Sequence, residues 1–337
     1  MSRPTPTAGL VDGFGRVHTD LRISLTDRCS LRCTYCMPAE GVPWLPGSAM
    51  LSTEELVRVT SVAVDLGIRK IRLTGGEPLL RPDVVDVVAA LAALGTQGDR
   101  PEISLTTNAL RLPQLAGPLK DAGLRRVNVS LDTLDRDRYT QLTRRDRLPQ
   151  VLAGLEAARA AGLAPIKLNA VAMRGVNDGE VVDLLRFAVE HDYQLRFIEQ
   201  MPLDPGHTWD RTQMVSQTEI LDALSAQFAL TPIPGRGTAP AETWLVDGGP
   251  GIVGVIASVS APFCGSCDRL RLTADGQLRA CLFAQSETDV RTVLRSGGDD
   301  EAIAGALRAC VAGKRAGHDI GDPDFHQPDR PMSAIGG

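Results

Sequence analysis

The stretch LRISLTDRCSLRCTYC, Leu21 to Cys36, decides the fold. It begins as a short, mostly apolar, β-rich run of the kind buried parallel strands show, and three cysteines follow it at once in a loop. Working outward, the same unit recurs. Strand-like runs at Lys70 to Leu73, Ile103 to Thr107, Val127 to Leu131, Ile166 to Val171 and Gln194 to Glu199 alternate with helical stretches, which reads as successive βα units. The first helix is well marked: Ser52 and Glu55 have capping-box spacing, Glu54 to Leu66 is helical in character, and Gly67 stands where a C-terminal cap belongs. Gly123 and Gly162 end later helices similarly.

Parallel strands with helical crossovers close into a full or partial barrel, and such barrels carry their chemistry at the carboxyl ends of the strands. Each unusual segment falls at that end. Cys29 to Cys36 follows the first strand, Gly75-Gly76-Glu77-Pro78 the second, Thr107-Asn108 the third, Asp132 the fourth and Glu199-Gln200-Met201-Pro202 the sixth. After Met201 the texture changes: Pro, Gly and Thr accumulate around Thr231 to Ala241, behind a helix beginning near Ser216 and Glu219. Strand-like runs at Ile252 to Ala257 and Leu270 to Leu272, a second cysteine group and a helix near Ala302 to Val311 then follow. The expected fold is α/β: a partial (β/α)6 TIM-like barrel over 16–202, after an N-terminal segment 1–15. A C-terminal α+β extension over 203–326 and a tail over 327–337 ending in Gly336-Gly337 complete it.

Among the 337 residues, 43% are hydrophobic and 23% charged, so a real core can form. Aromatic residues make up only 4% and the formal net charge is -5, which argues against aromatic platforms or a general polyanion surface for nucleic acid. A local arginine cluster could still hold a triphosphate. Met1 to Gly15 lacks the apolar run of a signal peptide, and nothing approaches about 18 consecutive apolar residues, so a cytoplasmic protein without a membrane span is expected. In a reducing compartment, seven clustered cysteines read as ligands rather than disulfide partners.

Cys29, Cys33 and Cys36 form a C-x3-C-x2-C triplet with no fourth cysteine nearby. Structural zinc and closed iron–sulfur clusters usually take four protein ligands, so three leave one metal position open for a substrate or cofactor. The alternative is a zinc site completed by His18 or another distant ligand. Cys29-Ser30-Leu31-Arg32-Cys33-Thr34-Tyr35-Cys36 resembles the motif of the radical S-adenosylmethionine (SAM) superfamily, with an aromatic residue before the last cysteine. The resemblance implies a 4Fe-4S cluster whose open iron chelates SAM and whose electron cleaves it to a deoxyadenosyl radical. It also implies cofactor contacts for Tyr35, Gly76, Ser130 and Met201. Without it, Gly75-Gly76 would read as a turn and Glu77 as a loop carboxylate.

Cys264, Cys267 and Cys281 form a second triplet, C-x2-C-x13-C, while Cys310 sits alone in an amphipathic helix and reads as core. A zinc ribbon lacking one ligand is the alternative here. In place and spacing the second triplet resembles the GTP 3′,8-cyclase family, and a second 4Fe-4S cluster that binds substrate through its open iron is implied. Arg269 and Arg271 alternate on a strand and point to one side, toward an anionic or purine substrate rather than a solvated face. By resemblance the segment Arg269, Leu270 and Arg271 contacts GTP, with Arg22, Arg72, Thr106 and Lys167 on the barrel strands. Arg22, Arg269 and Arg271 are the implied catalytic residues. Lys70 and Arg196 are on or beside the same strands but could serve as rim or helix-facing ion-pair partners. The family ends in a double glycine that enters the active site, which gives Gly336-Gly337 a role beyond that of a terminus. The resemblance runs from Arg22 to the final glycines and departs at Asn108-Ala109, where the family commonly has Asn-Gly; that puts the local turn in question.

The implied reaction is that of a lyase in molybdenum cofactor biosynthesis. The radical takes hydrogen from the ribose 3′ carbon of GTP, and the carbon radical adds to guanine carbon 8. The resemblance further implies an external one-electron donor of flavodoxin or ferredoxin type and a downstream cyclic pyranopterin monophosphate synthase, and it leaves room for a homodimer. Two rivals stand beside it: a radical SAM enzyme that modifies a peptide or protein, with the second site as an auxiliary cluster, and a non-enzymatic protein with two structural zinc sites.

Overall fold

The computed structural model describes residues 9–96 and 99–336; Gly337, the last residue of the double glycine, lies outside them. Six βα units come first. The strands are β1 (Asp20–Ser24), β2 (Lys70–Thr74), β3 (Glu102–Thr107), β4 (Arg126–Ser130), β5 (Lys167–Ala172) and β6 (Gln194–Glu199). Helices α1 (Thr53–Asp65), α2 (Val84–Ala92), α3 (Leu112–Asp121), α4 (Arg136–Thr143), α5 (Leu148–Ala160) and α6 (Val181–Glu190) connect them, two of these between β4 and β5. The Ser52 hydroxyl caps α1 and Glu55 returns to the Ser52 backbone, the reciprocal pair that spacing predicts. Gly67, Gly123 and Gly162 all adopt positive φ behind their helices.

The remaining elements are α7 (Gln217–Ser225), β7 (Leu230–Ile233), β8 (Glu242–Val246), β9 (Ile252–Ile256), β10 (Arg269–Leu272), β11 (Gln277–Arg279), β12 (Thr288–Asp289), α8 (Val290–Arg295), α9 (Asp300–Ala312) and α10 (Met332–Ile335). Their strands join the first six in one sheet of order β12-β11-β10-β1-β2-β3-β4-β5-β6-β9-β8-β7. The pairing is parallel from β10 through β1 to β6 and on to β9, then antiparallel at both flanks. The barrel is therefore open, and the C-terminal region lengthens its sheet at both edges.

The strands are not uniformly apolar. In β1, β2, β6 and β10 charged and apolar residues alternate: Leu21, Ile71, Leu195 and Leu270 are buried among the helices, while Arg22, Arg72, Arg196 and Arg271 occupy the other face. Arg22 lies in register with both Arg271 and Arg72, so their side chains share that face. The helix layer and the outer sheet face enclose the main aliphatic core. Cys310, 6% exposed on α9, belongs to it, as its sequence setting predicts.

Candidate active site

The two cysteine loops are built differently. The first leaves β1 and is locked to the loop after β2: the backbone N–H of Gly76 donates to Thr26 O at 2.8 Å and that of Glu77 to Arg28 O at 2.7 Å. A Cβ on Gly76 would stand 2.5 Å from Asp27 O and closer still to Arg28 O, so the glycine is required by the cysteine loop lying against it. The buried Glu77 carboxylate accepts from Thr107 Oγ1 at 2.7 Å, Asn108 N at 2.7 Å and Leu79 N at 3.1 Å. It is a tie between the loops after β2 and β3, not an ordinary loop carboxylate. Asn108 in turn donates to Ser30 Oγ at 3.2 Å, and Ala109 holds φ 67°, the left-handed turn in which glycine is at ease. Tyr35 donates its hydroxyl to Asp132 at 2.8 Å, tying the cysteine loop to the end of β4. Ser130, half-buried, ends that strand in register with Asn169.

The three thiols of this loop are half-buried and form no disulfide. Burial, with Glu77 adding for Cys29, pushes Cys29 up to about 11, and burial with Cys29 nearby pushes Cys36 up to about 12. Ligation of a cationic cluster displaces those protons and relieves the burial penalty. Three free cysteines in one loop form a donor set that fits a cluster held by three thiolates. Among the described residues no three Cys, His, Asp or Glu side chains gather as ligands of a single ion.

Cys264, Cys267 and Cys281 lie on the cavity that the inner sheet face encloses, a free space of about 980 Å³ including its mouth. Five arginines line it, Arg22, Arg72, Arg196, Arg269 and Arg271, together with Thr106, Asn169 and Met201, and no carboxylate does so among the described residues. Burial and mutual repulsion lower Arg22 to about 9, Arg72 to about 10 and Arg196 to about 9, and hold Arg271 well below its usual value. The Nε atoms of Arg22 and Arg72 are buried with no hydrogen-bond partner among the described residues. Asp20, buried beside Arg22 and Arg72, supplies part of the counter-charge; the chamber still suits a polyanion, which supplies the rest and the missing acceptors. Asn169 at 3.0 Å and Asn128 at 2.9 Å orient the Arg196 guanidinium.

At the second triplet, Arg269 donates to Cys267 Sγ at 3.1 and 3.3 Å, and Lys314 Nζ lies 3.5 Å from the same sulfur. Burial works upward, but Arg269 and Lys314 bring Cys267 down to about 7. A thiolate held beside two cations fits cluster ligation. The tail enters between the two triplets. Gly336, at φ 88°, is buried against Ser24 and Thr74, its carbonyl accepts from Arg271 Nη1, and the backbone of Ser333 hydrogen-bonds Cys36.

Not every residue singled out from sequence reaches this chamber. Leu270 carries its side chain to the opposite face, 1% exposed in the core beside Leu21, because strand residues alternate and its neighbours Arg269 and Arg271 take the inner face. Lys70 is exposed at the start of β2, whereas Arg196 lines the cavity. Lys167 is half-buried on the inner-face register, and burial with Arg196 nearby lowers it to about 8. Sequence reasoning missed Asn169, Phe263, His318 and Met332 of the lining. For Asn169 the signal was present: it stands two residues after Lys167 on the same strand.

An open α/β sheet with a three-cysteine loop after its first strand defines the radical SAM class. Residues 23–188 match the Radical SAM superfamily and residues 193–320 match Molybdenum Cofactor Synthesis C. The fold is similar to that of Streptococcus suis SuiB bound to S-adenosylmethionine, with a TM-score of 0.59 and 16% identity over 87% of this chain and 68% of that one. GTP 3′,8-cyclase of Streptomyces coelicolor is 60% identical over 97% of this chain and 96% of its own length. GTP 3′,8-cyclase 2 of Mycobacterium tuberculosis is 59% identical over 99% and 94%. The chain belongs to the GTP 3′,8-cyclase family. As a radical SAM family member it has a 4Fe-4S cluster and SAM as its cofactors. Among the described residues no helix is long and apolar enough to cross a membrane.

Proposed function

We propose that this chain is a lyase that converts GTP to (8S)-3′,8-cyclo-7,8-dihydroguanosine 5′-triphosphate, the first step of molybdenum cofactor biosynthesis. One observation carries the reading: five arginines and no carboxylate line a cavity that the second cysteine triplet enters and the tail closes toward the first. The cluster at Cys29, Cys33 and Cys36 supplies, when bound, the electron that cleaves SAM to a deoxyadenosyl radical. Tyr35, Gly76, Ser130 and Met201 border the SAM position. Cys264, Cys267 and Cys281 would hold a second 4Fe-4S cluster, which with three protein ligands would offer a binding position to the substrate. Arg22, Arg72, Thr106, Lys167, Arg269 and Arg271 hold the nucleotide, and Leu270 contributes through its backbone only. Arg22, Arg269 and Arg271 serve as the catalytic residues and keep the ribose 3′ carbon and guanine carbon 8 in contact. The chamber excludes water while the ring closes. A flavodoxin- or ferredoxin-type protein delivers the electrons, and a cyclic pyranopterin monophosphate synthase takes the product.

The test is an anaerobic assay of reconstituted, dithionite-reduced protein with SAM and GTP, read by mass spectrometry. GTP-dependent deoxyadenosine together with an isomer of GTP is expected. Cys29→Ala abolishes SAM cleavage, whereas Arg269→Ala mainly weakens GTP handling. Intact GTP binding and cyclisation in the arginine variant would overturn the substrate placement.

A further inference from the structure

Residues 11–18 lie before the first strand, and the reaction as described leaves them no task. They form a tight hairpin, closed by an antiparallel bridge between Val11 and Val17, with Asp12, Arg16 and His18 turned inward and buried. Arg16 is the centre of this hairpin's contacts. Its Nε donates to Asp12 Oδ2 at 2.5 Å, and His18 Nε2 lies 3.1 Å from the same oxygen, so the guanidinium is held in one orientation. The outward nitrogens reach two distant segments. Nη1 donates to Cys264 O at 2.7 Å and Ala316 O at 3.1 Å, and Nη2 donates to Arg315 O at 2.7 Å.

Both segments serve the second cysteine triplet. Cys264 is its first member. Arg315 and Ala316 directly follow Lys314, whose buried ammonium lies 3.5 Å from Cys267 Sγ and 2.7 Å from Arg269 O. One planar fork thus sets the spacing between the Cys264 limb and the loop that delivers a cation to Cys267. Two nitrogens of one rigid plane reach three carbonyls while Nε holds Asp12, which suits a guanidinium and not the compact ammonium of lysine. Beside the hairpin, Thr19 Oγ1 donates to Asp268 Oδ2 at 2.6 Å, fixing the residue between Cys267 and Arg269 to the segment that leads from the hairpin into β1.

We propose that Arg16 is the positioning residue of the second cysteine site, holding Cys264 and Lys314 in place so that an iron–sulfur cluster is bound tightly there and its charge is balanced. The inference rests on the proposed second cluster. Groups that orient metal ligands from outside the coordination shell typically change metal affinity or activity roughly 10–100-fold when removed.

The test uses the full chain and a parent in which Cys29, Cys33 and Cys36 are replaced by alanine, so that iron reports the second site alone. Both are reconstituted anaerobically with ferrous iron and sulfide. Arg16→Ala in the parent is expected to lower iron affinity roughly 10-fold or more and to broaden or erase the electron paramagnetic resonance signal of the reduced cluster. In the full chain the same change leaves first-site iron in place. Arg16→Lys does not rescue. Parent-like iron binding and spectrum in Arg16→Ala would overturn the proposal, as would an equal loss of iron from both sites, which is the mark of a general loss of stability. Should Arg16→Ala fail to fold, Arg16→Lys and Asp12→Asn face the same criteria. A parent that binds no iron at all sinks the second-cluster reading and this inference with it, whereas a failure confined to the Arg16 variants removes only the inference.

Discussion

Single positions in this site are decided by what lies within a few ångströms. Gly76→Ala places a methyl 2.5 Å from Asp27 O and closer to Arg28 O, both backbone atoms that cannot turn aside. We expect a loss of about 3 kcal/mol or more in denaturant stability, with poor iron loading of the first triplet. Gly336→Ala instead meets the side chains of Ser24 and Thr74, from a tail that can withdraw. Its expected signature is functional: deoxyadenosine forms, while cyclised product per deoxyadenosine falls, measured in a single chromatographic run. The thiols offer a third test. At pH 7.5 the metal-free chain should be alkylated by iodoacetamide faster at Cys267, brought to about 7 by Arg269 and Lys314 against burial, than at Cys29 or Cys36, which burial pushes to about 11 and 12. Mass-spectrometric peptide mapping ranks the three directly.

Between elements, buried carboxylates act as knots. Glu77 joins the loops after β2 and β3, and Glu199 at the end of β6 accepts from Gln217 N, Val259 N and Ser260 N, each at 2.8 Å, tying α7 and the segment before the second triplet to one strand. Burial raises Glu77 from the ordinary 4.5 to about 7 despite its donors. Because the folded value lies above the unfolded one, this group favours the folded state below about pH 4.5 and that contribution is lost as pH rises through 7. Urea unfolding of the metal-free chain should weaken by up to about 3 kcal/mol between those limits on this account. At the tail, Arg330 pairs with Asp275 at 2.9 and 3.1 Å and with Glu287 at 2.8 Å. Arg330→Ala should release α10 and lower GTP turnover about 10- to 100-fold while first-site iron stays unchanged, since misplacing a reacting partner by an ångström is enough.

Over the whole molecule, net charge and site charge have opposite signs. A chain of formal charge -5 keeps five arginines on one enclosed face. Nucleotide binding should therefore weaken several-fold as ionic strength rises from low to physiological values and beyond, measured by equilibrium dialysis with GTP, even though the protein as a whole repels anions. The C-terminal region makes this possible by pairing β10 to β1 and β9 to β6, which brings Arg269 and Arg271 beside Arg22 and continues the barrel wall.

The order of the βα units, the caps of α1 and the identity of both cysteine triplets follow from the sequence itself, because each depends on residues a few positions apart and on period-two or helical patterning. The alternation in β10 also holds the information that Leu270 faces away from Arg269 and Arg271. Other features exist only once the chain is folded. Glu77 meets Asn108 across 31 residues, Arg271 meets Gly336 across 65, and Arg16 meets Cys264 across 248. No spacing rule connects such pairs. They are brought together by a curved sheet whose edges recruit strands from the far end of the chain, and by the need of each buried charge for a partner wherever the backbone happens to bring one.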